Sequence, residues 1–301
     1  MRVLPTVSNP RIPYCLATDM PRLAPPDGKP LIVHIVANIE HWPFDRPMPR
    51  KILPGPHGMD RSPDVPNFNW VEYGMRCGLP RLLRAIGERG LPATAAINAS
   101  VIEVYPRAAE AILAAGWEFM GHGLTQRALQ NEPDEVPIID ETLALIARFT
   151  GRKVRGWLGP GQSQTDHTAD LLKERGIEYC CDWLMDDVPT WMRTIHGPMI
   201  AMPYSFEYND VVVWAIDKHS SDEQHRRVVD AVETFEKELA DQPRVLTLPL
   251  HPHVQGVAHR MNHFERTLDL LMARPDTIFM TGSQIADWFV GLGIDDSAVR
   301  N

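Results

Sequence analysis

From residue 31 to residue 290, short apolar runs alternate with stretches of helical period, and this alternation leaves few folds open to the chain. Residues 31–37 (LIVHIVA) form an almost unbroken apolar run, the mark of a strand buried on both faces. Further runs at 93–98, 117–120, 154–158, 177–182, 245–250 and 277–280 read as strands, and 199–204 and 211–216 read as two strands around a turn. The spacing between them predicts helices at 79–89, 107–115, 135–149, 168–175, 222–240 and 264–273, four of them stopped by Gly90, Gly116, Gly151 and Gly176. Ser283 is the expected cap of a last helix reaching about residue 290. Strands and helices alternating in this number imply an α/β protein with a parallel sheet. No Gly-x-Gly-x-x-Gly turn follows the first strand, so the expectation is a single distorted (β/α) barrel of seven or eight strands over residues 31–292, not an open doubly wound sheet. Residues 1–30 are proline-rich and carry no period, and are expected to lie over the barrel as an N-terminal arm; 293–301 is a C-terminal tail. The loop from the first strand to about Pro66 is long, and such loops in a compact domain are usually functional.

Composition narrows the function classes. A net charge of -9 argues against nucleic acid or an anionic membrane as the main partner. No stretch approaches the roughly 18 apolar residues of a membrane span, and residues 1–13 have no apolar signal core. Cys15, Cys77, Cys180 and Cys181 lack the spacing of a zinc-binding pair, so reduced thiols in a cytoplasmic protein are the simplest account.

The polar residues just past each strand are not scattered. Asn38, Glu40 and His41 follow the first strand; His122, Thr125 and Gln126 the third; Gly159-Pro160-Gly161 the fourth; Asp182, Asp186 and Asp187 the fifth. Glu207, Asn209 and Asp210 lie around the next turn, and His251 and His253 follow 245–250. In a barrel of parallel strands these carboxyl ends form one mouth, where the reaction centre lies. The turn containing Asn209 and Asp210 also fits a plain hairpin, and Asp182 and Asp187 fit turn caps. His122 and Gln126 are spaced as a pair that would clamp a zinc ion, yet an amide oxygen is a poor zinc ligand. No metal is therefore expected; if zinc were bound, its ligands would be Glu40, His122 and Gln126.

At these residues the chain resembles the polysaccharide deacetylase superfamily, the nodulation-type or family-4 carbohydrate esterases, over roughly residues 30–290. That family places two Asp after the first strand, His-x-x-x-His after the third, a groove segment after the fourth and a leucine-then-His segment late in the chain. The matching positions are Asn38 and Glu40, His122 and Gln126, the segment Arg155-Gly156-Trp157-Leu158-Gly159-Pro160-Gly161, and Leu248-Pro249-Leu250-His251. Asn38 cannot act as a base, and Gln126 weakens the metal. Segments at 38–40, 65–70, 73–76 (Tyr-Gly-Met-Arg), 92–98 and 203–210 (Pro-Tyr-Ser-Phe-Glu-Tyr-Asn-Asp) are similar to one branch, the metal-independent allantoinases and cyclic imide hydrolases. The resemblance implies hydrolysis of a C–N bond in a small cyclic amide, imide or ureide.

A ring carbonyl flanked by electron-withdrawing groups needs less Lewis-acid help than an acetamide. Glu40 is the expected general base, His251 the acid for the leaving nitrogen, and His122 the group that orients water or steadies the oxyanion with the backbone N–H groups of Gly159 and Gly161. Arg76 and Asn209 are expected anchors for substrate carbonyl or carboxylate groups, with Asn38, Gln126, Trp157, Glu207 and His253 completing the binding set. Two alternatives stand beside this reading: a metal-dependent N-deacetylase of acetylated sugars, and an inactive binding protein of the same fold. The expected partners are a small-molecule substrate and further copies of the chain, as a dimer or tetramer, because the arm and the 43–66 loop are too apolar to hang in solvent.

Overall fold

Strand β1 (Leu31–Ile39) is buried along its whole length and organises the sheet. Its odd positions, Leu31 to Ile39, join the apolar layer under the helices. Ile32 and Val36 pack instead into the interior of the curled sheet. Side chains alternate across a strand, so His34, Asn38 and Glu40 share that interior side. In the computed structural model, which describes residues 7–59 and 62–299, eight further strands join β1 in one sheet. These are β2 (Thr94–Ile97), β3 (Glu118–Gly121), β4 (Gly156–Trp157), β5 (Tyr179–Cys180), β6 (Thr190–Met192), β7 (Met199–Ala201), β8 (Arg244–Leu250) and β9 (Thr277–Phe279).

The order is β6-β7-β5-β4-β3-β2-β1-β8, with β9 also paired to β1. All pairings are parallel except β6 with β7, which the sequence did not announce. The register puts Ile39 beside Ile97 and Ala37 beside Leu250, so the carboxyl ends of β1, β2 and β8 lie level. The sheet curls without a continuous ladder. Its ends approach where the Val245 N–H donates to the Asp187 carbonyl at 2.7 Å and the Thr247 hydroxyl to the Pro203 carbonyl at 2.8 Å. The expected distorted barrel is thus a curled α/β half-barrel.

Three local expectations are corrected. Residues 211–216 form a π-helical turn, not a strand: Val211, Val213 and Trp214 pack with Val254 into a small cluster of their own. The long loop contains helix α1 (Val65–Tyr73), capped by Asp64, and a π-helical turn (Gly74–Gly78) leads from it into α2 (Leu79–Gly87). The last helix (Gly282–Gly291) is capped by Thr281 rather than Ser283, through a capping box with Gln284.

Of the arm, residues 7–30 are described, and they lie on the barrel. The Arg11 guanidinium pairs with Asp170 at 2.8 Å, the Leu23 N–H donates to Gln242 at 2.8 Å, and Leu23 is buried in the interior cluster. Residues 1–6 of the arm, 60 and 61 of the loop, and 300 and 301 of the tail lie outside the described residues. Among the described residues, no helix is long and apolar enough to cross a membrane.

Candidate active site

The carboxyl ends of the strands surround a cavity of about 1070 Å3. Asn38, Glu40, His122, Gln126, Gly159, Gly161, Asn209, His251 and His253 all line it. The sequence had assigned these to one mouth, and the topology brings them there from five separate strand ends.

Glu40 sits at the centre and is almost fully buried. Its Oε2 accepts from Trp42 Nε1 at 2.7 Å. Its Oε1 faces two imidazoles, His251 Nε2 at 3.4 Å and His122 Nε2 at 3.8 Å. Burial alone pushes this carboxyl up, but the charge on His251 and the hydrogen bonding of His122 and His251 outweigh burial and hold it well below the usual carboxylate range.

Behind His251 stands Asp210, which has no exposed surface. Asp210 Oδ1 lies 2.6 Å from His251 Nδ1, and Oδ2 accepts the backbone N–H of His251 at 2.6 Å and of Gln255 at 3.0 Å. Burial lowers His251, but the carboxylates of Asp210 and Glu40 more than reverse this, and its pKa rises to about 10. The ring is therefore an imidazolium at neutral pH, held between two carboxylates. Asp210 is the main residue that the sequence reading left out of the site. Its signal was position: it starts the π-helical turn that looked like a strand.

His122 is different. Its Nδ1 lies 2.6 Å from the Leu158 carbonyl, which can only accept, so Nδ1 carries the proton. Nε2 is turned toward Glu40 and is buried without a hydrogen-bond partner. The Gly159 N–H is committed to Asp182 Oδ1 at 2.7 Å. Asp182, expected to be a turn cap, is a half-buried cavity residue whose carboxyl is pushed up to about 6 by desolvation.

His253 packs edge-on against Trp70 (4.6 Å between ring centroids), Trp42 (5.5 Å) and His251 (5.6 Å). Burial lowers it to about 3, so it is a neutral wall. The turn at Gly74–Gly78 supports this wall. A Cβ on Gly74 would lie 2.4 Å from the His253 nitrogen, and one on Gly78 would lie 1.9 Å from the Pro252 carbonyl oxygen. Only glycine allows so close an approach. Asn38 donates to the Tyr204 hydroxyl and the Leu250 carbonyl, both at 3.2 Å, tying β1 to the far side of the cavity.

Three expected binding residues lie elsewhere. Trp157 is fully buried in the layer under the helices, its ring against Gly121, because strand alternation turns it away from the cavity. Arg76 is exposed on the outer side of the π-helical turn, 4.0 Å from Glu72. Glu207 is exposed and accepts from the Ser205 hydroxyl at 2.9 Å. None of the three lines the cavity. His41 also lies off it, its Nδ1 2.8 Å from the Ser100 hydroxyl.

The zinc implied by the resemblance to the deacetylases would meet a mixed set of donors here. Glu40 Oε1 and the orphaned His122 Nε2 supply two strong donors. The third is the amide of Gln126, whose Oε1 already accepts from Asn98 Nδ2 at 3.3 Å. Among the described residues, no group of three His, Cys, Asp or Glu is arranged to hold a metal ion. The donor set does not fit a tightly held zinc, which uses three strong protein ligands.

The curled α/β sheet thus carries a buried acid–base cluster at its carboxyl end. The polysaccharide deacetylase family model matches residues 69–180, from α1 to β5. Over these residues the chain is similar to the polysaccharide deacetylase family, and its fold is that of the solved structures described below. A peptidoglycan deacetylase of Helicobacter pylori is 25% identical over 158 residues, 52% of this chain and 53% of that protein, so the chain spans about half of that relative's length. The PuuE allantoinase structure superposes with a TM-score of 0.80 at 23% identity, covering 90% of this chain and 94% of that one. A probable polysaccharide deacetylase of Pseudomonas aeruginosa gives a TM-score of 0.79 at 24% identity, with the same coverage.

Proposed function

We propose that the protein hydrolyses a C–N bond in a small cyclic amide, imide or ureide without a tightly held metal. The observation that carries this reading is the buried chain Asp210···His251···Glu40 opening on the cavity. It pairs a protonated imidazole with a carboxylate. Water donates to Glu40 Oε1 and lies against His122 Nε2, and the two hold its oxygen toward the ring carbonyl. As that oxygen bonds to the carbonyl carbon, its proton passes to Glu40. The ring C–N bond then breaks, and the departing nitrogen takes the Nε2 proton of His251. Return of the proton from Glu40 to His251 restores the starting state.

A carboxylate of depressed pKa is a weak base, and the coupling answers that difficulty. The charge on His251 is a main cause of the depression. As the imidazolium loses its proton, Glu40 becomes more basic in the same step. General acid and base contributions of this kind are each worth about 10²- to 10⁴-fold.

The orphaned His122 Nε2 favours a second reading, a metal-dependent N-deacetylase, and the names of the relatives point the same way. One experiment separates the two. Hydantoin, allantoin, succinimide, glutarimide and N-acetylated sugar oligomers are assayed with and without chelator, alongside elemental analysis. Ring opening that survives chelation, with well under one zinc per chain, is the expected outcome. Turnover of acetylated sugars alone, abolished by chelator, would sink the cyclic-amide reading.

A further inference from the structure

Acidic residues outnumber basic ones in this chain by 39 to 30. The cavity reverses the balance: Arg46, Arg50 and Arg127 line it, against only Glu40 and Asp182 among the carboxylates of the described residues. Both carboxylates are engaged from within, Glu40 by Trp42 and the histidines and Asp182 by Gly159 and Gln164. Arg127 is paired with Glu132 at 3.0 Å, and Arg46 lies 4.0 Å from the exposed Asp45. Arg50 makes no ion pair among the described residues. It is exposed, yet its charge is close enough to His253 to help lower that imidazole. An arginine left without a carboxylate partner beside an acid–base centre is a fork awaiting an anion.

The other side of the mouth is apolar. Arg46 and Arg50 follow β1 and Arg127 follows β3, whereas Met185 follows β5 and Phe206 and Ile216 follow β7. The sheet order keeps β1 to β3 together and β5 to β7 together, so the guanidinium groups and the apolar groups occupy different sides of the opening. Met185, Phe206 and Ile216 are each about half exposed and line the cavity.

Building on the hydrolytic reading above, we propose that the substrate is a ring amide bearing a carboxylate. Arg50, with Arg46, grips the carboxylate at the mouth; Met185, Phe206 and Ile216 take the apolar part; and the scissile carbonyl lies at Glu40 and His251. The arginine fork would then set both affinity and ring orientation.

The test uses matched rings that differ only in charge, hydantoin-5-acetate against hydantoin-5-acetamide and the corresponding succinimide pair, with the full chain and its Arg46→Gln/Arg50→Gln variant. Calorimetry gives Kd, and ring opening is followed in parallel. The wild type is expected to bind at least one acid roughly tenfold more tightly than its amide, as for a charge-assisted bidentate contact, with the ratio shrinking as salt is added. In the variant the ratio should fall to about one, since nothing else at the rim tells the two apart. Equal affinity for acid and amide in the wild type, no measurable binding of any acid, or discrimination that persists in the variant would each overturn the inference. Charge discrimination without ring opening of any pair retires the hydrolytic reading while keeping the anion subsite; ring opening without discrimination does the reverse.

Discussion

Two glutamates on the inner side of the same sheet show how differently the two ends of this barrel use a carboxylate. Glu118 begins β3 at the end away from the cavity. It is saturated: the Tyr179 hydroxyl donates at 2.8 Å, the Ser283 N–H and the Thr94 hydroxyl each at 3.1 Å, and the Ser283 hydroxyl as well. Glu40, just past β1, has one firm hydrogen bond, from Trp42, and leaves its other oxygen to imidazoles at 3.4 and 3.8 Å. The nearby histidines follow suit. His34, hydrogen-bonded to Thr94 at 3.0 Å, is lowered by burial to about 3, whereas His251 is raised to about 10. A saturated carboxylate ties elements together; a partly satisfied one held against a charge keeps its proton chemistry available.

The largest effects should appear at the cavity end. Glu40→Gln and His251→Ala should each lower kcat by about 10²-fold or more, with the double variant losing far less than the product because the two act in one step. Both should melt as cooperatively as the wild type in a thermal scan. Full activity in Glu40→Gln would dissolve the contrast with Glu118.

Next comes Asp210→Asn. It removes the main charge holding His251 up, so kcat should fall roughly tenfold and the alkaline limb of the pH–rate profile, expected near 10 in the wild type, should move toward neutrality. The sign for stability is the same. His251 has a folded pKa above the ordinary 6.5, so its contribution is complete below that value and disappears as pH rises through about 10. A stability–pH curve in Asp210→Asn that retained the wild-type alkaline slope would contradict the assignment.

The smallest expected effect on turnover is at the opposite end. Glu118→Gln leaves donors short of an acceptor and should cost about 1–3 kcal/mol of stability in denaturant unfolding, while kcat stays within about twofold. A large loss of kcat without loss of stability would place Glu118 in the chemistry and erase the distinction.

Much of this cavity was legible because it rests on which residues follow apolar runs. Glu40, His122, His251 and Gln126 needed only the order of strands. Partnerships were harder to read. The run Val211-Val-Val-Trp carries a strand's composition, and its folding as a π-helical turn is decided by Val254 and Trp70, which pack against it from far along the chain. That tertiary override hid Asp210. Trp157 was misplaced by parity: strand alternation is visible in a sequence, but which set faces inward is not, and here Leu158 takes the interior while Trp157 takes the helix side. Arg76 follows a conspicuous motif, yet the π-helical turn rotates it outward while Gly74 takes the position against His253.

The arm carries a consequence for the order in which the mouth is assembled. Asn9 lines the cavity, and its side-chain oxygen accepts the backbone N–H groups of Arg11 and Ile12, at 2.8 and 3.0 Å. Arg11 in turn is fastened to Asp170 and to the Arg193 carbonyl, 159 and 182 positions later. On the ribosome, the stretch made early waits for partners that emerge much later, so this wall of the cavity is set well after its own residues are made. A nascent chain that ends before residue 170 holds the strands bearing Glu40 and His122 but lacks both partners that fix this wall, and it lacks His251.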